Sequence, residues 1–154
     1  MDKKIYLALM AILTVLLVFT QCGARETDAP VGIVKTLSGQ AWIQRGKQRM
    51  PAALEMPLMT GDALETGGDA GVGIIFKDNS LLSLGPDSKF IIREFIFEPT
   101  KEKFTLIGSV VRGTLTYLSG LINKLKPESV EFRTPSAAIS VRGTHLAIEV
   151  KEGS

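Results

Sequence analysis

Cysteine and histidine occur once each in this chain of 154 residues, and each scarcity removes a class of chemistry. With Cys22 alone, no intramolecular disulfide can form, so an exported fold would have to be held by its core. With His145 alone, a zinc site would need three carboxylates around one imidazole, and no Ser-His-Asp or Cys-His arrangement has a sequence signature. His145 stands two residues after Gly143 in a strand-like run, where an ordinary hydrogen-bonded histidine is the expectation. The residues thus point to no catalytic group, no metal and no cofactor. An excess of charge of one sign is also missing. Lys and Arg number 18 against 16 Asp and Glu, which gives no electrostatic reason to expect nucleic acid.

The one long apolar run lies at the N-terminus. Asp2-Lys3-Lys4 precedes Ile5 to Thr20, the order of a secretory signal and a little short for a comfortable membrane span. Cys22 follows directly, where a lipoprotein signal peptidase would cut and the thiol would take a diacylglyceryl group. Phe19-Thr20-Gln21-Cys22 departs from the usual box, which has Leu three before the cysteine and a small residue immediately before it. The competing reading is an uncleaved anchor with a bystander cysteine, and both put the remainder outside the cytoplasm. The expected organisation is a signal peptide 1–21, a lipidated tether 22–30 and one domain 31–154. Cleavage leaves 133 residues of formal charge +1, enough for one core. Gly23, in place of the Asp that retains many lipoproteins at an inner membrane, favours the outer membrane.

Past the tether there is no long helical period. Short alternating runs bounded by Gly, Asp, Asn and Pro give the pattern of an all-β chain. Val31 to Thr36, the turn Ser38-Gly39 and Ala41 to Arg45 read as a hairpin. Thr66 to Gly71 reads as a loop, and Val72, Ile74 and Phe76 share one face of the next strand. Asp78-Asn79-Ser80 turns the chain into Leu81 to Leu84, and Gly85-Pro86-Asp87-Ser88 turns it again into Lys89 to Glu98. Phe90 and Ile92 lie in one phase and Phe95 and Phe97 in the other, so a bulge is expected near Arg93-Glu94. Phe104 to Leu118 and Val130 to Val150 supply the remaining strands. Such strands suit a small β-solenoid or β-roll, or a two-sheet sandwich, with at most one short helix near 119–126 that Pro127 stops and that reads as a connector rather than a membrane-touching or partner helix.

Val111-Arg112-Gly113-Thr114 and Val141-Arg142-Gly143-Thr144 repeat four residues at a spacing of 30, each before an alternating tail. They read as two equivalent corners, at which Arg112 and Arg142 could grip a carboxylate or phosphate or donate to carbonyls, and the repetition favours the carbonyls. Asp62, Glu65 and Asp69, or Asp78 and Asp87, sit in glycine-rich loops, but their spacing fits no calcium loop and favours turn formation.

Five blocks carry a resemblance. Val31 to Val34, Ser38 to Ile43, Thr60 to Gly67, Phe76 to Leu84 and Thr134 to Val150 resemble, in order, successive blocks of a FecR domain. The last ends in Thr134-Pro135-Ser136-Ala137 and Val141-Arg142-Gly143-Thr144. Asn79 stands where the family tends to have Gly, and Asn tolerates the positive φ such a turn needs. The resemblance implies an extracytoplasmic β domain that transmits or receives a protein contact. In the best-known members a cytoplasmic segment controls an alternative sigma factor, and the four residues before Ile5 are too few for one, so that role is not expected here.

The resulting expectation is a non-enzymatic, lipid-anchored binding or scaffold module of the bacterial cell envelope. Its partners would be the membrane through Cys22 and an envelope protein or peptidoglycan, with no nucleic acid. The alternatives are a sensory subunit for a membrane signalling partner and, further off, an envelope enzyme.

Overall fold

The computed structural model describes residues 29–151. Cys22, the hydrophobic run and most of the tether lie outside the described residues. Twelve strands are formed among those described. They are β1 (Gly32–Ser38), β2 (Ala41–Arg45), β3 (Gln48–Pro51), β4 (Pro57–Leu58), β5 (Ala63–Thr66), β6 (Gly71–Phe76), β7 (Leu81–Leu84), β8 (Lys89–Glu98), β9 (Lys103–Leu118), β10 (Val130–Arg133), β11 (Ala138–Ser140) and β12 (His145–Val150). One short helix, α1 (Leu121–Leu125), follows β9, and Pro127 opens a 3-10 turn after it. The all-β class and the single short helix near 119–126 are both found.

The strands make one sheet curled into a half-barrel, with β9 shared by two layers. One layer runs β3-β2-β5-β8-β9-β10-β11, and only its β9–β10 pair is parallel. The other runs β4-β1-β6-β7-β9-β12, all antiparallel. The first part of β9 pairs with β8 and its last six residues with β12. Period-two alternation puts Val72, Ile74, Phe76, Leu82 and Leu84 inside, against Ile43, Leu64, Phe90, Ile92 and Phe132 of the facing layer. Burying each such side chain contributes about 1.5–3 kcal/mol. Gly108 is where β9 passes under two rings, since a β-carbon there would run into Phe90.

The expected hairpin of β1 and β2 does not form. β1 pairs with β6 and β4, whereas β2 pairs with β3 and β5 in the other layer. The link between them is an arch. Gly39 takes φ +66, Ala70 is pressed against it, and Gly67 N donates to Gln40 O at 2.8 Å. A hairpin turn and an arch both use a glycine with positive φ, so local sequence does not separate them. The bulge in β8 is found, as a register shift between Ile92 and Glu94.

The chain crosses between layers along one side of the half-barrel at Gly39, at 67–70, at 85–88 and at Gly113. Polar side chains join these crossings. Thr66 Oγ1 donates to Gly85 O (2.6 Å) and accepts from Ser88 N (2.9 Å), while Asp87 N reaches Gly67 O (3.0 Å) and Gly85 N reaches Thr114 O (3.1 Å). These turn residues, Thr66 and Gly67 of a FecR-like block among them, thus form a hydrogen-bonded seam on which the sheet folds.

Candidate binding edge and the residues that position it

The two Val-Arg-Gly-Thr copies are not equivalent corners. The first bends β9 itself: Gly113 has φ +85, and Ser88 Oγ accepts from Thr114 N (2.9 Å) and donates to Thr114 O (3.1 Å). The second forms the loop between β11 and β12. Val141 is buried and its N–H donates to Val130 O (3.0 Å), while Arg142, Gly143 and Thr144 are exposed. Gly143 is not among the residues with positive φ, and a β-carbon there would meet nothing within 4 Å. Arg142 makes no hydrogen bond among the described residues, so the carbonyl-donating role expected of it is not seen. A four-residue match carries turn propensity but not the register around it. The two tails are nonetheless linked, because they pair with each other: Thr114 faces Glu149, Leu115 faces Ile148 and Leu118 faces His145.

Thr134 and Pro135 belong to a tight turn between β10 and β11. Thr134 N donates to Ala137 O (2.8 Å), Ala137 N donates back to Thr134 Oγ1 (3.0 Å), and Pro135 and Ser136 stand exposed at the tip.

The second motif loop is held by a buried polar chain that the sequence did not reveal. Asp78, fully buried, accepts at Oδ1 from Ser80 Oγ (2.6 Å) and Ser80 N (3.1 Å), and at Oδ2 from Ile122 N (3.3 Å). Its carbonyl takes Leu121 N at 2.8 Å. Asn79 turns the chain at φ 62, as its tolerance of positive φ allows. Gly120 passes so close to Asp78 that any side chain there would collide with it. From α1, Asn123 Nδ2 donates to Gly143 O (2.8 Å), and Ser119 N donates to Thr144 O (2.9 Å). The Asp-Asn-Ser turn, α1 and the second Val-Arg-Gly-Thr copy therefore meet at the start of β12. Beside them Tyr117 is fully buried, and its hydroxyl has no hydrogen bond of good geometry. Burial raises its pKa to about 12; Asp78 adds to the rise, and Ser80 and the Gly120 backbone oppose it.

This arrangement presents β12 as an edge. Among the described residues it pairs with β9 alone, and its six residues exceed the two of β4, the four of β3 and the three of β11 at the other edges. His145, Ala147 and Glu149 point to solvent. The outer face beside them carries one row of Ile33, Ile75, Leu81 and Leu118, ending at His145, and bears Thr36, Ser83 and Thr116 along the next. Leu81 is 39% exposed.

Of the five acidic residues singled out as turn formers, Asp62, Glu65 and Asp78 have internal side-chain partners. Asp62, fully buried, takes both Arg45 Nε (2.8 Å) and Nη2 (2.7 Å) and also Met59 N (2.9 Å). Glu65 pairs with Lys89 (2.7 Å) and Arg49 (3.4 Å), and the Lys89 hydrogen bond holds its carboxyl below the usual range. The Arg49 guanidinium also lies 4.6 Å from the Trp42 ring centre. Among the described residues no three His, Cys, Asp or Glu are grouped to hold a metal ion, and no helix is long and apolar enough to cross a membrane.

No curated protein and no solved structure matches the chain. A family model described as FecR protein matches residues 62–154, from the buried Asp62 through the end of the sequence. The first two resembling blocks, Val31 to Val34 and Ser38 to Ile43, precede that match, yet β1 and β2 pair into the same sheet. The match covers both Val-Arg-Gly-Thr copies, the Asp-Asn-Ser turn and the Thr134 turn, and on it the chain belongs to the FecR protein family, one of regulatory and sensor domains rather than enzymes.

Proposed function

We propose that the protein is a non-catalytic binding module of the bacterial cell envelope, exported and held at a membrane, the outer one by preference, by a lipid on Cys22. The observation that carries the binding role is the edge that β12 presents among the described residues, beside a partly apolar sheet face. An extended segment of an envelope protein would add to β12 through main-chain hydrogen bonds, while His145, Ala147 and Glu149 set its side-chain preferences. Pre-organisation supports this reading: the chain from Asp78 through Asn123 to Gly143 fixes where β12 begins, so little ordering cost falls on binding.

The test combines two measurements. Intact mass and fractionation of the wild type and Cys22→Ala should show a mature chain starting at Cys22 with added acyl mass, released to the soluble fraction by the substitution. A photo-crosslinker in place of Ala147 should capture an envelope protein that one placed at Lys47, in the β2–β3 turn, does not. Equal capture at both positions would sink the edge. An unprocessed chain that stays in the membrane in both forms would replace the lipid by an uncleaved anchor.

Family membership favours a second reading, a sensory subunit for a membrane signalling partner. Crosslinking only to a membrane-spanning transducer would select it, and capture of peptidoglycan would select a scaffold. Turnover abolished by His145→Ala would refute the non-enzymatic assignment.

A further inference from the structure

The end of the half-barrel opposite the glycine seam is where the described chain begins, and its surface is unusual. Pro30 lines one groove with Lys77 and Asn79 and another with Phe95, Phe97 and Glu98. The next turn of the rim is α1, tied to Asp78 through Leu121 N. Leu125 and Lys126 then line a groove with Pro99 and Phe104, which returns to the Phe97–Phe104 ring pair at the β8–β9 tip. These adjacencies close a ring around one rim. Leu125 is 59% and Leu121 38% exposed, and Phe95, Phe97 and Phe104 are only partly covered.

Lysines surround these apolar groups. Lys77, Lys101, Lys103, Lys124 and Lys126 are all exposed, against Glu98, Glu102 and Glu128, and Glu98 is already paired with Lys101 at 3.1 Å. Exposed leucines flanked by lysines suit the boundary of a lipid headgroup layer, where aliphatic tips enter and ammonium groups meet phosphate. The chain's own geometry selects that occupant over a distant one. The hydrophobic run ends at Thr20, and the eight residues from Gly23 to Pro30 span at most about 28 Å when fully extended. A chain held at Cys22 keeps this rim, rather than the glycine seam, next to the bilayer.

We propose that this rim seats on the anionic surface of the membrane that holds the chain, with Leu121 and Leu125 in the headgroup boundary and Lys124 and Lys126 on lipid phosphates. The inference rests on tethering at Cys22. A helix of five residues buries too little to hold a membrane alone, but the tether makes the second contact intramolecular, and two weak signals together fix an orientation. Seated in this way, the domain is held in a set orientation, and its outer sheet face is offered to partners at a defined height.

The test uses the full acylated chain with Leu125→Cys carrying a polarity-sensitive fluorophore, reconstituted in phosphatidylcholine vesicles with and without phosphatidylglycerol. A second probe is placed at Lys47→Cys. Flotation reports the anchor and emission reports the seat. The chain should float in both lipids, with a blue shift at position 125 that is several-fold larger with phosphatidylglycerol and none at 47. Lys124→Glu with Lys126→Glu should abolish the shift without changing flotation or the thermal midpoint, since both side chains are exposed. Aqueous emission at 125 in a floating chain overturns the seat alone. Loss of flotation overturns the anchor and the seat together. A shift that grows with protein concentration in the absence of vesicles assigns the rim to a second copy and overturns the lipid contact.

Discussion

Ser88 Oγ occupies the space that a β-carbon on Gly113 would need, and from there it bonds both the N–H and the carbonyl of Thr114 at 2.9 and 3.1 Å. One side chain thus closes the bend by which β9 leaves one layer and enters the other. The bend lets residues 103–112 and 114–118 of one strand serve two halves of one core.

Gly113→Ala should therefore cost about 2–4 kcal/mol, combining strain at φ +85 with the collision against Ser88. Gly143→Ala, at ordinary φ and in open space, should stay within about 0.5 kcal/mol. Urea denaturation of the two variants checks this, and similar losses at both would restore the equivalence of the two copies.

Asp62→Ala should destabilise by about 3 kcal/mol. It leaves the Arg45 guanidinium without its bidentate partner and Met59 N without an acceptor, while the one-third exposure of Arg45 keeps the cost near the lower end for a broken buried pair. A chemical-denaturation midpoint within error of the wild type would show that water replaces the carboxylate fully.

Tyr117 sets an alkaline limit. Its pKa is about 12 folded against 10.0 for the free side chain, so its contribution is intact below pH 10. It is then lost as pH rises from 10 to 12, at about 1.4 kcal/mol per unit. Tyr117→Phe should flatten that fall and change stability at pH 7 by less than about 1 kcal/mol, because the hydroxyl lacks a well-formed hydrogen bond. Denaturation curves at pH 7 and pH 11 test both halves; an unchanged slope in the variant would contradict the assignment.

Asn123→Ala should loosen the β12 entry without unfolding the domain. Releasing the Gly143 carbonyl should speed amide exchange at Ser119, whose N–H bonds Thr144 O, by about tenfold. Exchange in β6 should not change.

Turns were the most legible part of the fold. Asp78-Asn79-Ser80, Gly85 to Ser88 and Thr134 to Ala137 each carry the residue types their backbone requires, and Phe90, Ile92, Phe95 and Phe97 announced the bulge through their change of phase. The direction of each turn was not legible. Gly39 and Gly113 redirect the chain into the opposite layer, whereas Asn79 returns it beside itself, and all three have positive φ. Of the motif residues, Thr134 and Val141 took positions that local chemistry explains. Arg142 did not: it stands exposed, and the bonds from distant segments go to the carbonyls of Gly143 and Thr144 instead.

By itself, then, the sequence determined the strand periods, the turn positions, the all-β class and the lack of a cysteine partner for Cys22. Those properties arise from residues within a few positions of each other, through alternation, backbone freedom and composition. Only the tertiary structure decided that β9 would serve two layers, that Asp78 would reach across to α1 and Asn123 on to Gly143, and that β12 would be left as the open edge. Each of these depends on contacts between segments 20 to 44 residues apart, and the balance of burial and hydrogen bonding that selects them exists only once the whole core has closed.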